Sequence, residues 1–201
     1  VSYEEVSATV TLIDADARIV SIEPKNLRQI FESIVEIGRL TDREEVAVSV
    51  VDDLTLRLSD IQQATGGISK RPRVLCLEWL DPPMVAGHWV PDMVHIAGGE
   101  DVLGPNSGPS YRISWDAIIE TCPDFIIAMP CGFDLEETVN EFQALNWPAE
   151  WTALAAVRNR NVFAVDGSSY FNRPGPRVVD GVEVLFSILH RPTSTAEPNR
   201  S

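Results

Sequence analysis

The residues able to do chemistry fall in three short stretches. His88, Asp92 and His95 stand at i, i+4 and i+7, the spacing that puts metal-binding side chains on one helical face. Pro91 breaks that pattern. Proline belongs in the first turn of a helix, so the helix starts after His88 and His88 lies off the shared face; no metal site is expected. Cys131-Gly132 follows an apolar run, where a thiol nucleophile needs a nearby histidine base. The alternative is a small apolar side chain at the start of a turn. No G-x-S-x-G elbow, Walker A loop or G-x-G-x-x-G cradle occurs. Nothing forces catalysis.

The aromatics are more informative. Trp147 and Trp151, in Asn146-Trp147-Pro148-Ala149-Glu150-Trp151, suit core packing. Trp79 and Trp89 flank a Pro- and Gly-bearing loop, where a flat side chain with one polar edge suits a wide ligand face. Tyr170, Phe171 and Arg173 form a similar group, and the Arg173 guanidinium offers bidentate hydrogen bonds to amides or carboxylates.

These groups need a scaffold to bring them together. Arg18–Ile22 reads as a short buried strand closed by Glu23-Pro24. A helix follows from about Asn26 to Leu40, with Leu27, Ile30, Phe31, Ile34 and Ile37 on one face. Thr41 or Asp42 is expected to cap a second helix of roughly 22 residues, or about 33 Å. Its stripe is Ala47, Val50, Leu54, Leu58 and Ile61, and Gly66-Gly67 ends it. Strands are expected at Arg73–Glu78, Phe125–Met129 and Val162–Val165. They alternate with helices around Met93, over Trp115–Cys122 behind a Ser114 cap, over Asp134–Leu145 and from Pro176 onward. Strands alternating with helices predict an α/β fold with a parallel sheet. Ligands in such sheets lie beyond the carboxyl ends of the strands. The loops Trp79–Trp89, Pro130–Phe133 and Gly167–Pro176 start there.

Composition excludes several classes. The chain has 201 residues and a formal net charge of −14, the opposite of the basic stripe that binds nucleic acid and unsuited to an anionic membrane. No apolar run approaches the roughly 20 residues of a membrane span. Val1-Ser2-Tyr3-Glu4-Glu5 shows no signal-peptide pattern, which leaves the cytoplasm open. Three cysteines without a C-x-x-C indicate neither a disulfide framework nor a zinc ribbon. The charge is uneven: residues 71–157 hold 13 acids and 3 bases, and residues 158–201 hold 4 acids and 6 bases.

Three segments together resemble a known family. They are Arg73-Val74-Leu75-Cys76-Leu77-Glu78-Trp79-Leu80-Asp81-Pro82-Pro83 with Gly87-His88-Trp89 and Ala97-Gly98-Gly99; Ser114-Trp115-Asp116 through Pro123-Asp124-Phe125-Ile126-Ile127; and Asp166-Gly167-Ser168-Ser169-Tyr170-Phe171-Asn172-Arg173-Pro174. The set resembles the second lobe of cobalamin-binding proteins in the helical-backbone (class III) group of ABC-transporter substrate-binding proteins. That group also includes siderophore and haem binders. The middle segment is similar to its S-x-E-x-I-x-x-x-x-P-D-x-I-I element.

The resemblance implies an α/β fold: a parallel-sheet lobe with flanking helices over residues 71–190, preceded by a backbone helix over 43–70 and a remnant of a first lobe over 1–42. Residues 191–201 read as a tail. It implies capture of cobalamin or a related corrinoid for import, without catalysis and with no cofactor beyond the cargo. Trp79, Pro83, Trp89, Phe133, Tyr170, Phe171 and Arg173 would line the cleft. Asp116 would dock on the transporter's membrane subunit in place of the family's Glu, one methylene shorter. The location implied is extracytoplasmic. Most of the first lobe is missing from the pattern, so the expectation is either that a homodimer completes the site or that the sequence is a truncated portion. The alternatives are a siderophore or haem binder of the same class, an α/β enzyme using Cys131 or His88, and an interaction module without transport function.

Overall fold

Ser2 and Glu5 begin the first helix in the computed structural model, which describes residues 2–13, 17–105 and 107–191. Helix α1 (Tyr3–Leu12) opens with a capping box, in which Glu5 N–H donates to the Ser2 hydroxyl and Ser2 N–H to Glu5 Oε2. It buries none of its residues. Residues 17–25 form neither helix nor strand, so the strand expected at Arg18–Ile22 does not form. Among the described residues, no backbone hydrogen bond ties 17–24 to another segment. A β-strand exists only within a ladder, and Val20 and Ile22 are left exposed.

Asn26 Oδ1 accepts from Gln29 N–H and opens α2 (Leu27–Leu40). Thr41 closes α2 instead of capping the next helix, and Asp42 turns the chain at a positive φ of 55°. Helix α3 (Glu44–Thr65) follows Arg43 with no side-chain cap. It has the expected 22 residues and buries Ala47, Leu54, Leu58 and Ile61. The remaining elements are β1 (Arg73–Leu80), β2 (Pro83–Val85), α4 (Val90–Ile96), β3 (Glu100–Asp101), β4 (Tyr111–Arg112), α5 (Trp115–Thr121), β5 (Phe125–Ala128), α6 (Leu135–Ala144), a 3-10 turn at Ala149–Ala153, α7 (Ala155–Arg158), β6 (Val162–Ala164), α8 (Gly167–Tyr170) and α9 (Val178–Leu189). Residues 192–201, nearly all of the expected tail, lie outside the described residues.

The sheet order is β4-β2-β1-β5-β6, with β3 also on β1. β5 is parallel to β1 and β6, and β3 is parallel to β1. The expected all-parallel sheet is corrected at one edge, where β2 pairs antiparallel with β1 and with β4. Only Asp81 and Pro82 separate β1 from β2, far too few residues for a parallel crossover.

Side chains alternate across β1 and β5. Val74, Cys76, Ile127 and Met129 face a core shared with α2, α3, α4 and α9. Leu75, Leu77, Ile126 and Ala128 face the core under α5, α6 and Trp151. Helix α3 lies on the first layer rather than standing free. Arg57 straps it to α9 through Asp180 at 2.6 Å and both oxygens of Glu183 at 2.8 and 2.7 Å.

Candidate ligand cleft

Three strands deliver loops to one end of the sheet. The β1–β5 ladder continues past β5: Met129 N–H donates to Leu77 O at 2.9 Å and Cys131 N–H to Glu78 O at 3.0 Å. Ser168 N–H then donates to Phe133 O at 2.9 Å, so the loop after β6 lies on the loop after β5. Gly167 permits this contact, since a Cβ there would stand 2.5 Å from Pro130 O and 2.8 Å from Met129 O. Gly87 does the same on the other side, where a Cβ would meet Gly108 O at 2.5 Å.

Trp79 and Phe133 meet edge to face, their ring centroids 5.5 Å apart at 72°, and both are half-buried. The Trp79 indole N–H donates to Asp81 O at 3.1 Å, which fixes the ring without using its faces. Beside it stands Glu78, whose Oε2 accepts from the Ser110 hydroxyl. Ser110 Oγ also accepts Gly87 N–H at 3.1 Å. His88 is held at a positive φ of 54° and donates its N–H to Gly108 O at 2.6 Å. Burial pushes the Cys131 thiol up, Glu78 pushes it further, and Arg173 pulls it down. The charges of Glu78 and Arg173 thus act on Cys131 in opposite senses.

The seven residues expected to line the cleft do not all converge. Trp79 and Phe133 do, with the exposed Arg173 near Cys131. Trp89 is 8% exposed, and its indole N–H donates to Phe171 O at 2.7 Å. Phe171 is fully buried, so these two pack the core behind the cleft. Pro83 is buried in β2, where its carbonyl accepts Ile113 N–H at 3.0 Å. Tyr170 lies 4.7 Å beneath the Arg177 guanidinium and lines a groove of about 490 Å³ along α9 with Phe163, Val184 and Ile188. Asp116 is exposed in the first turn of α5, behind its Ser114 cap. Trp147 and Trp151 stack at 3.9 Å and pack with Trp115 and Phe142 under the sheet.

Glu78 and Ser110 were not singled out by sequence. The signal for Glu78 was present: it is the single charged residue between Val74 and Leu80. The signal for Ser110 was not, because only the fold brings it to Glu78.

His88 is set apart from the other two metal candidates, Asp92 and His95, which share α4. His88 precedes α4, Asp92 Oδ2 accepts Leu27 N–H at 3.2 Å, and His95 is exposed. Among the described residues no group of three or more His, Cys, Asp or Glu is arranged to hold a metal ion. A separate mixed-charge cavity of about 620 Å³ lies beside α4, lined by Arg71, Asp92, His95, Glu100 and Asp101. Among the described residues no helix is long and apolar enough to cross a membrane.

Residues 2–168 match the model of a family described as periplasmic binding protein. The chain belongs to that family. It is 26% identical over 171 residues to the vitamin B12-binding protein of Vibrio cholerae, covering 83% of this chain and 58% of the relative. It is 25% identical over 145 residues to the high-affinity heme uptake system protein IsdE of Staphylococcus aureus, covering 70% of this chain and 49% of the relative. The chain thus spans about half the length of these curated relatives. The solved structure of S. aureus IsdE complexed with heme superimposes with a TM-score of 0.78 at 20% identity, covering 94% of this chain and 73% of that one. The periplasmic binding protein has the fold of the class III ABC substrate-binding proteins.

Proposed function

We propose that this periplasmic binding protein is the cargo-capturing component of an ABC importer. Its cargo is a flat corrinoid of the cobalamin type, held without chemistry. The observation that carries the reading is the Trp79–Phe133 pair at the carboxyl ends of β1 and β5, with Glu78 adjacent to Trp79 in the chain. An aromatic edge with sparse polar anchors is the usual character of a small-molecule site. The similarity to a vitamin B12-binding protein favours a corrinoid. The similarity to a heme uptake protein favours haem as the second reading.

A catalytic role for Cys131 is disfavoured, because its thiol is pushed up and a nucleophile needs thiolate. In this reading Asp116 meets basic groups of the membrane subunit, and the protein works outside the cytoplasm. A second copy of the chain would supply the surface facing the cleft.

Titration with cyanocobalamin, haem and a ferric hydroxamate, followed by tryptophan fluorescence and visible absorbance, tests the proposal. A saturable cobalamin response is expected, lost in Trp79→Ala and retained in Trp147→Ala. A folded protein that responds to none of the three overturns it.

A further inference from the structure

Glu78 is a half-buried acid next to Trp79 in β1, whereas Asp81 and Asp134, the acids nearest the same aromatic pair in sequence, are exposed. Glu78 continues β1 between Leu77 and Trp79, and its carbonyl anchors the loop carrying Cys131 and Phe133. The carboxylate is positioned as well: Ser110 donates to Oε2 and is itself fixed by Gly87 N–H, while Gly87 is packed against the Gly108–Ser110 backbone. Ser110 engages one oxygen, and among the described residues no second hydrogen bond reaches the carboxylate. Nor does any ion pair within 4.0 Å join it to Arg173 among the described residues. Glu78 is half-buried whereas Arg173 is exposed. Charge interactions strengthen as water is excluded and fade where solvent screens them. A flat ligand lying on Trp79 would cover Glu78 and leave Arg173 wet, so the acid dominates the field at the ligand's edge.

We infer that Glu78 sets the charge class of the cargo, accepting a macrocycle whose edge presents neutral amide N–H donors and rejecting one whose edge presents carboxylates. The inference rests on the tetrapyrrole reading above and sharpens it. A corrin carries amide side chains, which can donate to the free carboxylate oxygen. A haem carries propionates, which would put like charge against it, and specificity of this kind comes from the repulsive element.

The test is the ratio of dissociation constants for haem and cyanocobalamin, by absorbance titration of the wild type, E78Q, E78D and S110A. E78Q should narrow the preference for cobalamin by at least about tenfold, whereas E78D and S110A, which keep the charge, should preserve it. A measurement needing no variant accompanies these: haem dimethyl ester, without free carboxylates, should bind the wild type at least about tenfold more tightly than haem. An unchanged ratio in E78Q, equal weakening of both ligands, or equal binding of haem and its ester overturns the role of Glu78 and leaves the cargo reading standing. A folded wild type that binds none of the three ligands overturns both.

Discussion

Strand β5 and helix α1 are each regular and each apolar in part, yet they contribute very differently to the molecule. In β5, Ile126, Ile127 and Ala128 lose all exposure, because β1 and β6 pair with both edges and helices cover both faces. In α1 the local signals are better, with a full capping box and acids in the first turn. Nevertheless Leu12 remains 85% exposed, and Ile13, just after the helix, 68%. Local propensity starts a helix, but most helical stability comes from packing an apolar face. Helix α1 therefore has structure without depth, and the sheet with its covering helices carries the stability.

The sharpest way to break this contrast is to truncate both regions. Ile127→Ala should cost about 2–5 kcal/mol, as for other buried aliphatics. Leu12→Ala should change stability by less than about 0.5 kcal/mol, as for exposed positions. Urea denaturation reads both, and equal losses would show that α1 is packed in solution. A smaller effect is expected at the contact that builds the cleft. Gly167→Ala forces a Cβ against two backbone carbonyls and should cost about 1–3 kcal/mol. It should also weaken ligand binding more than Ile127→Ala does, since it parts the loops carrying Phe133 and Arg173.

The same contrast explains what could be read from sequence. Spacing alone located α2, α3, β1, β5 and α9, because each shows a periodic or continuous apolar pattern that its burial then honours, and it located β6, whose residues are half-buried. Arg18–Ile22 carries the same apolar signal, but a strand also needs a neighbour, and nothing in its own residues says whether one exists. The hairpin β1–β2 was hidden for the opposite reason: Pro82 and Pro83 look like a loop, and Pro83 is tolerated as the first residue of its strand. At the cleft, residue type marked Trp79, Phe133 and Arg173 as candidates. It could not separate Trp79 from Trp89, which share composition and loop. The difference is tertiary, since the Trp89 indole is spent on Phe171 O while that of Trp79 reaches only Asp81. The Glu78–Ser110 contact spans 32 residues and leaves no local trace.

The packed lobe also contains a cost that the exposed segment lacks. Burial pushes the Asp101 carboxyl above its ordinary value of 3.8, against hydrogen bonds from the Gly104 and Leu103 N–H groups that lower it. One of its oxygens has no partner among the described residues. An acid with a raised folded value binds its proton more tightly when native. Its contribution to stability is therefore present below 3.8 and is lost as pH rises through the raised value. Asp101→Asn keeps an acceptor for both N–H groups and cannot ionise. Relative to the wild type it should gain stability between about pH 3 and pH 7, measured as the shift in urea midpoint at each pH. A difference between the two proteins that stays flat across that range would show that Asp101 is solvated.

A small effect should also come from the most conspicuous polar contact. Arg57 reaches both oxygens of Glu183 and one of Asp180 at 2.6–2.8 Å, and these carboxylates raise its pKa. An arginine is charged at every accessible pH, so that shift has no consequence for a pH profile. Its side chain is 39% exposed and its partners 37% and 46%, where solvent screens the charges and holding long side chains costs entropy. Arg57→Ala should therefore cost no more than about 1 kcal/mol, and less at high salt. Leu58→Ala, one residue along α3 and buried in the shared core, should cost about 2–5 kcal/mol. If urea midpoints reversed that order, polar strapping and not apolar depth would hold α3 to α9, and the distinction between the lobe and the exposed helix α1 would need a different physical basis.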